Sequence, residues 1–357
     1  MRLLLLTVGV FALSGCRSFG PDELKGTHPL YNQAINDSIN EQYLQNLVRI
    51  HYHDPTFFLD VTNVAATLKI EMNGQLGGSG LGIGLDDPSG TVGAGAGYTT
   101  QPTISYAPLQ GEAFVKSLLS RIGLDKIFEM NNSGWSSKRV FGLCVERIND
   151  LENSPTASGP TPDLAPTRND SFMELLDLLE SVREAHLISP RYDPETKRVM
   201  VEIRSTPGFE DRIGRIKELM GVDPYRSIYL VSDNEMQRGP DVISITTRSL
   251  MSIFFYLSHN IEAPTEHLEK GLIKETQRRE GGPFDWGETP GGRLFKVRMS
   301  DSKPSNAMLA IPYRDYWFYI ADNDIESKST FMLLTQLFRL QAGSAKMAAP
   351  TLTIPVR

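Results

Sequence analysis

Between residues 30 and 50, Tyr31, Ile35, Ile39, Tyr43, Leu44, Leu47 and Val48 recur at intervals of three and four. Asn32, Asp37, Asn40, Glu41 and Gln45 fill the other side. This spacing predicts an amphipathic helix of about twenty residues, packed on the sheet that follows. Pro55 stops it just after His51-Tyr52-His53-Asp54. Residues 57–70 turn to β-branched and aromatic composition and read as one long strand or two. Helical spacing returns at 112–122, while the apolar run inside 138–149 reads as a strand. Further on, 170–182, 209–220, 250–257 and 325–340 have helical spacing, the last opened by a capping box from Asn323 to Glu326. Strands are predicted at 199–203, 227–231, 242–246, 294–299, 307–312 and 317–321, with residues 313–316 as a hairpin turn. The tail 350–356 alternates, and reads as an edge strand of its own sheet or of a neighbour's.

The pattern is most unusual at 74–98. Gly78, Gly80, Gly82 and Gly84 alternate with other residues, Asp86-Asp87-Pro88-Ser89-Gly90 offers a turn, and the alternation resumes at Gly93, Gly95 and Gly97. Period two is the strand period, so a hairpin is predicted with glycine on one face and small or apolar residues on the other. No Gly-Lys-Ser/Thr ending or strand-loop-helix frame supports phosphate or dinucleotide binding. Three readings stay open. The hairpin is a surface on which another protein, or a neighbouring subunit's hairpin, approaches the backbone closely; or it is a mobile excursion; or it enters a membrane. Each arm is near the ~9–11 residues of a spanning strand, but one hairpin cannot close a barrel, so the third reading requires a ring of subunits.

These elements predict an α+β fold of antiparallel or mixed sheets packed by amphipathic helices. The expected organisation is a lobe at 28–151 containing the hairpin, a linker at 152–169 built on Pro155, Pro160, Pro162 and Pro166, and a central lobe at 170–260. Residues 261–357, strands and a helix, are expected to pack on the central lobe.

The first stretch changes the picture. Arg2 precedes an apolar run of residues 3–13, too short to span a bilayer and read as an export signal. Its end, Leu13-Ser14-Gly15-Cys16, resembles the lipobox of bacterial lipoproteins. The resemblance implies a signal peptide at 1–15, cleavage before Cys16, and diacylglycerol and acyl chains on that cysteine. Residues 16–27 would then be a short tether. Arg17 stands where an aspartate would signal inner-membrane retention, so the resemblance also implies the outer membrane, facing the periplasm. Several acyl chains hold stably where one holds marginally.

Charge and cysteine content narrow the functions. The 357 residues carry a formal net charge of -7, which argues against nucleic acid. Cys144 is the one other cysteine and reads as a small buried hydrophobe. His51, His53 and Asp54 offer ligand chemistry without a third and fourth ligand in sight, so a polar helix junction is the preferred reading and no metal is assigned. Gly-x-Ser-x-Gly and His-Glu-x-x-His are absent. The expectation is an envelope lipoprotein that serves as a structural or assembly component through contact with an envelope protein or with itself. It carries no cofactor beyond the covalent lipid. The competing expectations are an anchored hydrolase of an envelope polymer and a ring subunit that inserts the hairpin.

Overall fold

The structure is a computed structural model that describes residues 19–76, 92–160, 162–166, 170–193, 198–343 and 352–355. Two compact units are found, one within Met1–Thr56 and Gln110–Lys346, the other within Phe57–Leu109 and Met347–Arg357. Both sheets and helices are abundant, with antiparallel and mixed pairing, so the fold is α+β.

Helix α1 (Phe19–His51) is longer than its apolar spacing and takes in residues 19–27, expected as a tether. Pro21 lies in the first turn, where the ladder needs no N–H, so it does not oppose the helix; Pro29 lies inside it. Among the helix residues whose burial is described, the buried apolar ones, Tyr43, Leu44, Leu47, Val48 and Ile50, lie in the last two turns. They pack on residues 250–258 and 307–313 of the same unit.

The second unit begins with β1 (Leu59–Leu76) and β2 (Val92–Pro108). The chain then returns to the first unit with α2 (Glu112–Leu119), α3 (Leu124–Asn132) and α4 (Ser137–Cys144), followed by β3 (Val145–Ile148) and β4 (Leu151–Glu152). The strand expected at 138–149 is thus a helix up to Cys144. Val140, Phe141, Leu143 and Cys144 are all buried, and an apolar run buried all round has no alternation to distinguish helix from strand.

Six strands form the main sheet. After α5 (Asp170–Arg183) come β5 (Ile188–Asp193), β6 (Arg198–Ile203), α6 (Glu210–Met220), β7 (Ile228–Ser232) and β8 (Val242–Thr247). The order is β4-β3-β8-β7-β6-β5, with only β7 and β8 parallel. β5 was not foreseen because it contains Pro190; as the edge strand it tolerates a missing donor. Next are α7 (Leu250–Ser258), α8 (Thr265–Glu269) and a three-stranded sheet of β9 (Arg298–Ser300), β10 (Ala307–Tyr313) and β11 (Tyr316–Ala321). Its hairpin turns at Arg314 and Asp315, both at positive φ, as a two-residue turn matched to strand twist requires.

Helix α9 (Ile325–Ala342) is capped by Asp324, whose carboxylate accepts from the Ser327 N–H at 3.0 Å and the Ser327 hydroxyl at 2.8 Å. The expected box from Asn323 to Glu326 does not form. Glu326 turns instead to Arg139, at 2.6 Å. Phe338 of α9 lies 4.8 Å from Tyr43, 6.3 Å from Phe114 and 6.3 Å from Phe254, ring centre to ring centre, so α1, α2, α7 and α9 share one core.

The expected linker belongs to this unit as well. Asn153, Ser154 and Ala157 are buried, because Arg248 draws the segment inward. Its guanidinium donates to the carbonyls of Val145 at 2.6 Å, Ser154 at 3.1 Å and Asn153, and to the Ser158 hydroxyl at 3.1 Å. It also lies 4.4 Å from the centre of the Tyr256 ring. A fully buried guanidinium with these acceptors has its hydrogen bonds met, which its desolvation demands.

The second unit is completed by β12 (Leu352–Pro355), which pairs antiparallel with β2 over residues 103–106 and gives the order β1-β2-β12. The tail therefore extends a sheet of its own chain.

Candidate functional site

In the first unit, the residues after α1 go separate ways. His53 adopts φ 60°, which breaks the helix. Asp54 accepts a hydrogen bond from Arg314 at 2.8 Å and another from the Tyr313 hydroxyl. Burial works to raise its carboxyl, but these two hydrogen bonds and the guanidinium charge outweigh it and hold the group below the usual carboxylate range.

His51 instead lines a cavity of about 230 Å³ together with Ser258, His259, Thr276, Phe284 and Trp286. His51 is partly accessible as a residue, yet its Nε2 is shut off from solvent and has no hydrogen-bond partner. His259 stacks on Trp286 with ring centres 4.4 Å apart, and its Nε2 lies 3.2 Å from the Ala157 carbonyl. Burial pushes both imidazoles down to about 4, with His259 adding to the effect on His51. Both are neutral at pH 7.

The chemistry of this cavity is limited. Ser258 donates its hydroxyl to the Phe255 carbonyl at 2.8 Å, and Thr276 donates to the Pro162 carbonyl at 2.9 Å. Asp285 accepts from the Gly287 N–H at 2.8 Å. Neither hydroxyl is paired with an imidazole, so no activated nucleophile is formed by them. His51, His53 and Asp54 do not converge, because Asp54 is committed to Arg314; among the described residues no group of three or more His, Cys, Asp and Glu is placed to hold a metal ion.

The second unit carries a different kind of site. β1 and β2 pair antiparallel from Leu59↔Pro108 to Leu76↔Val92, a ribbon of 18 and 17 residues. One irregularity interrupts the register, between Val61↔Tyr106 and Asn63↔Ser105, leaving Thr62 as an extra residue. Because strand residues alternate between faces, this bulge shifts the phase of β1 by one. Leu59 and Val61 before it therefore share a face with Val64, Ala66, Leu68, Ile70, Met72, Gly74 and Leu76 after it. The β2 positions on that face are Val92, Ala94, Ala96, Tyr98, Thr100, Pro102, Ile104, Tyr106 and Pro108.

The opposite face is polar. It holds Asp60, Asn63, Thr67, Lys69, Glu71, Asn73 and Gln75 of β1, with Ala65 among them. Gly93, Gly95 and Gly97 lie on this face, opposite Gln75, Asn73 and Glu71. The glycines thus face away from the apolar positions, as expected. Gly78, Gly80, Gly82, Gly84 and the turn at 86–90 lie outside the described residues, as does Cys16. The signal that sequence reasoning missed is the bulge at Thr62, which hides the continuity of the apolar face when β1 is read alone.

Among the described residues no strand pairs with the outer edge of β1, and β12 covers the outer edge of β2 only at 103–106. No helix among them is long and apolar enough to cross a membrane. Comparison of the chain with protein-family models, curated proteins and solved structures finds no match.

Proposed function

We propose that this chain is a lipoprotein of the bacterial cell envelope, held at the outer membrane by lipid on Cys16 and facing the periplasm, and that it works as an assembly component through protein contacts. The observation that carries this reading is the ribbon: among the described residues no strand pairs with the outer edge of β1, and β12 pairs with the outer edge of β2 only at 103–106. A long two-stranded ribbon is marginally stable in water, and open edges are templates for pairing. The anchored-hydrolase reading draws less support, since the hydroxyls lining the His51 cavity are bonded to backbone carbonyls.

Metabolic labelling with a fatty acid, followed by fractionation, tests the anchor. The wild-type chain is expected to carry label and to sediment with membranes, and the Cys16→Ser chain to do neither. Unlabelled wild-type protein, or a Cys16→Ser chain that is processed and membrane-bound all the same, contradicts the reading.

A further inference from the structure

The ribbon's faces are sorted more completely than a contact surface in water needs. All three charged residues of β1 and β2, Asp60, Lys69 and Glu71, lie on the polar face, and Thr62 is the extra residue that keeps nine β1 positions in phase on the apolar one. Such alternation of apolar and polar positions along both strands of a hairpin is the pattern of a lipid-facing barrel wall. Its length fits too. From Val64 to Leu76 the ribbon runs ~40 Å at ~3.4 Å per residue, and at the ~35–45° tilt of membrane barrels this rises ~30 Å, against an apolar band of ~25 Å.

From the faces, the length and the open edges, we infer that several copies of this chain join their ribbons edge to edge into a closed transmembrane β-sheet. The inference rests on the anchored, contact-making reading above and names the partner as a second copy of the same chain. The apolar face meets lipid acyl chains, and the face bearing Lys69, Glu71 and the three glycines lines a watery interior. Closure is required because unpaired N–H and C=O groups in hydrocarbon cost several kcal/mol each. A copy of the chain supplies both missing partners: the outer edge of its β1 over 66–76 meets the 92–102 edge of the next β2, which β12 leaves clear, and a repeated head-to-tail contact of this kind gives a ring when the rotation per copy closes. β12 stays at the base, on residues 103–106, and leaves that edge clear.

The test uses the full acylated chain in vesicles of phosphatidylethanolamine and phosphatidylglycerol. Cysteines are introduced one at a time at positions 66–71 (Ala66→Cys to Glu71→Cys) and labelled with an environment-sensitive dye, the buried Cys144 remaining unlabelled. Nitroxide carried on lipid chains is expected to quench the dye at 66, 68 and 70 several-fold more than at 67, 69 and 71, and aqueous iodide to do the reverse, in particles containing more than one chain. A profile open to iodide at every position, on protein that floats with the vesicles, overturns the inference and leaves the anchor standing. Even positions shielded from both quenchers mean a protein cover and also overturn it, as does alternation in single-chain particles. Protein that does not float overturns the inference and the anchored reading together.

Discussion

Tyr52 Oη and His267 Nδ1 lie 2.6 Å apart, both residues buried, and this hydrogen bond fastens the end of α1 to α8. Burial raises the Tyr52 phenol above its ordinary range, so the hydroxyl stays protonated at any physiological pH. Around the pair, Tyr313, Tyr316 and Phe318 pack their rings against Tyr52 or His267. Tyr52→Phe keeps the ring and removes only the hydrogen bond. It is expected to lower unfolding stability by about 1–3 kcal/mol in a urea titration, and an unchanged midpoint would contradict the role given to this contact.

Arg248 makes a second, larger prediction. Its donors satisfy the carbonyls of residues 145, 153 and 154, so Arg248→Met strands several buried acceptors at once and is expected to cost on the order of 3–5 kcal/mol. The segment from Asn153 to Ser158 should open before the rest. Limited proteolysis of the variant should therefore cut near residues 153–166 at protease levels that leave the wild type intact there.

The cavity histidines set a pH dependence. His51 and His259 are held down near 4 in the folded chain and return to about 6.5 when it unfolds, so the unfolded state binds more protons between those values. Stability is complete above about pH 6.5 and falls as pH drops toward 4. Between pH 7.5 and 4.5 the loss from the two together is on the order of 5 kcal/mol, and the charge of His259 contributes to the lowering at His51. Urea midpoints at pH 7.5 and 4.5 measure it, and the double variant His51→Gln, His259→Gln should show a smaller difference between them.

Cys144 is expected to be inert. It is fully buried at the end of α4, and desolvation pushes its thiol up to about 12. A thiol reagent should leave it unmodified in the native chain at pH 8 and react with it in denaturant. Rapid native labelling would reopen a chemical role for this residue.

The legibility of the sequence follows from how local each signal is. α5 and α6 show one apolar stripe against a polar side, so Phe172, Leu175 and Leu176, and Ile213 and Ile216, mark their buried faces directly. α4 was misread because both of its sides are buried, and β5 was missed because Pro190 resembles a loop residue. Asn153 and Arg248 are 95 positions apart, and nothing local says that one holds the other's segment in the core. His51 and His259 are 208 positions apart, so the cavity they line had no local signal. The glycines of the ribbon were visible as a period-two pattern, whereas its continuous apolar face depends on a register between strands and on the bulge at Thr62. The proposed anchor stands apart from all of these, since it rests on the order Leu13-Ser14-Gly15-Cys16 alone.

The claim that joins these observations is that the ribbon finds its missing neighbours in other chains. The native mass of the full-length protein, extracted from membranes in mild detergent, tests this most directly. The account predicts a particle of several chains for the wild type, and a single chain once residues 62–103 are replaced by a short turn. A wild-type particle containing one chain, with nothing bound to it, would contradict the account.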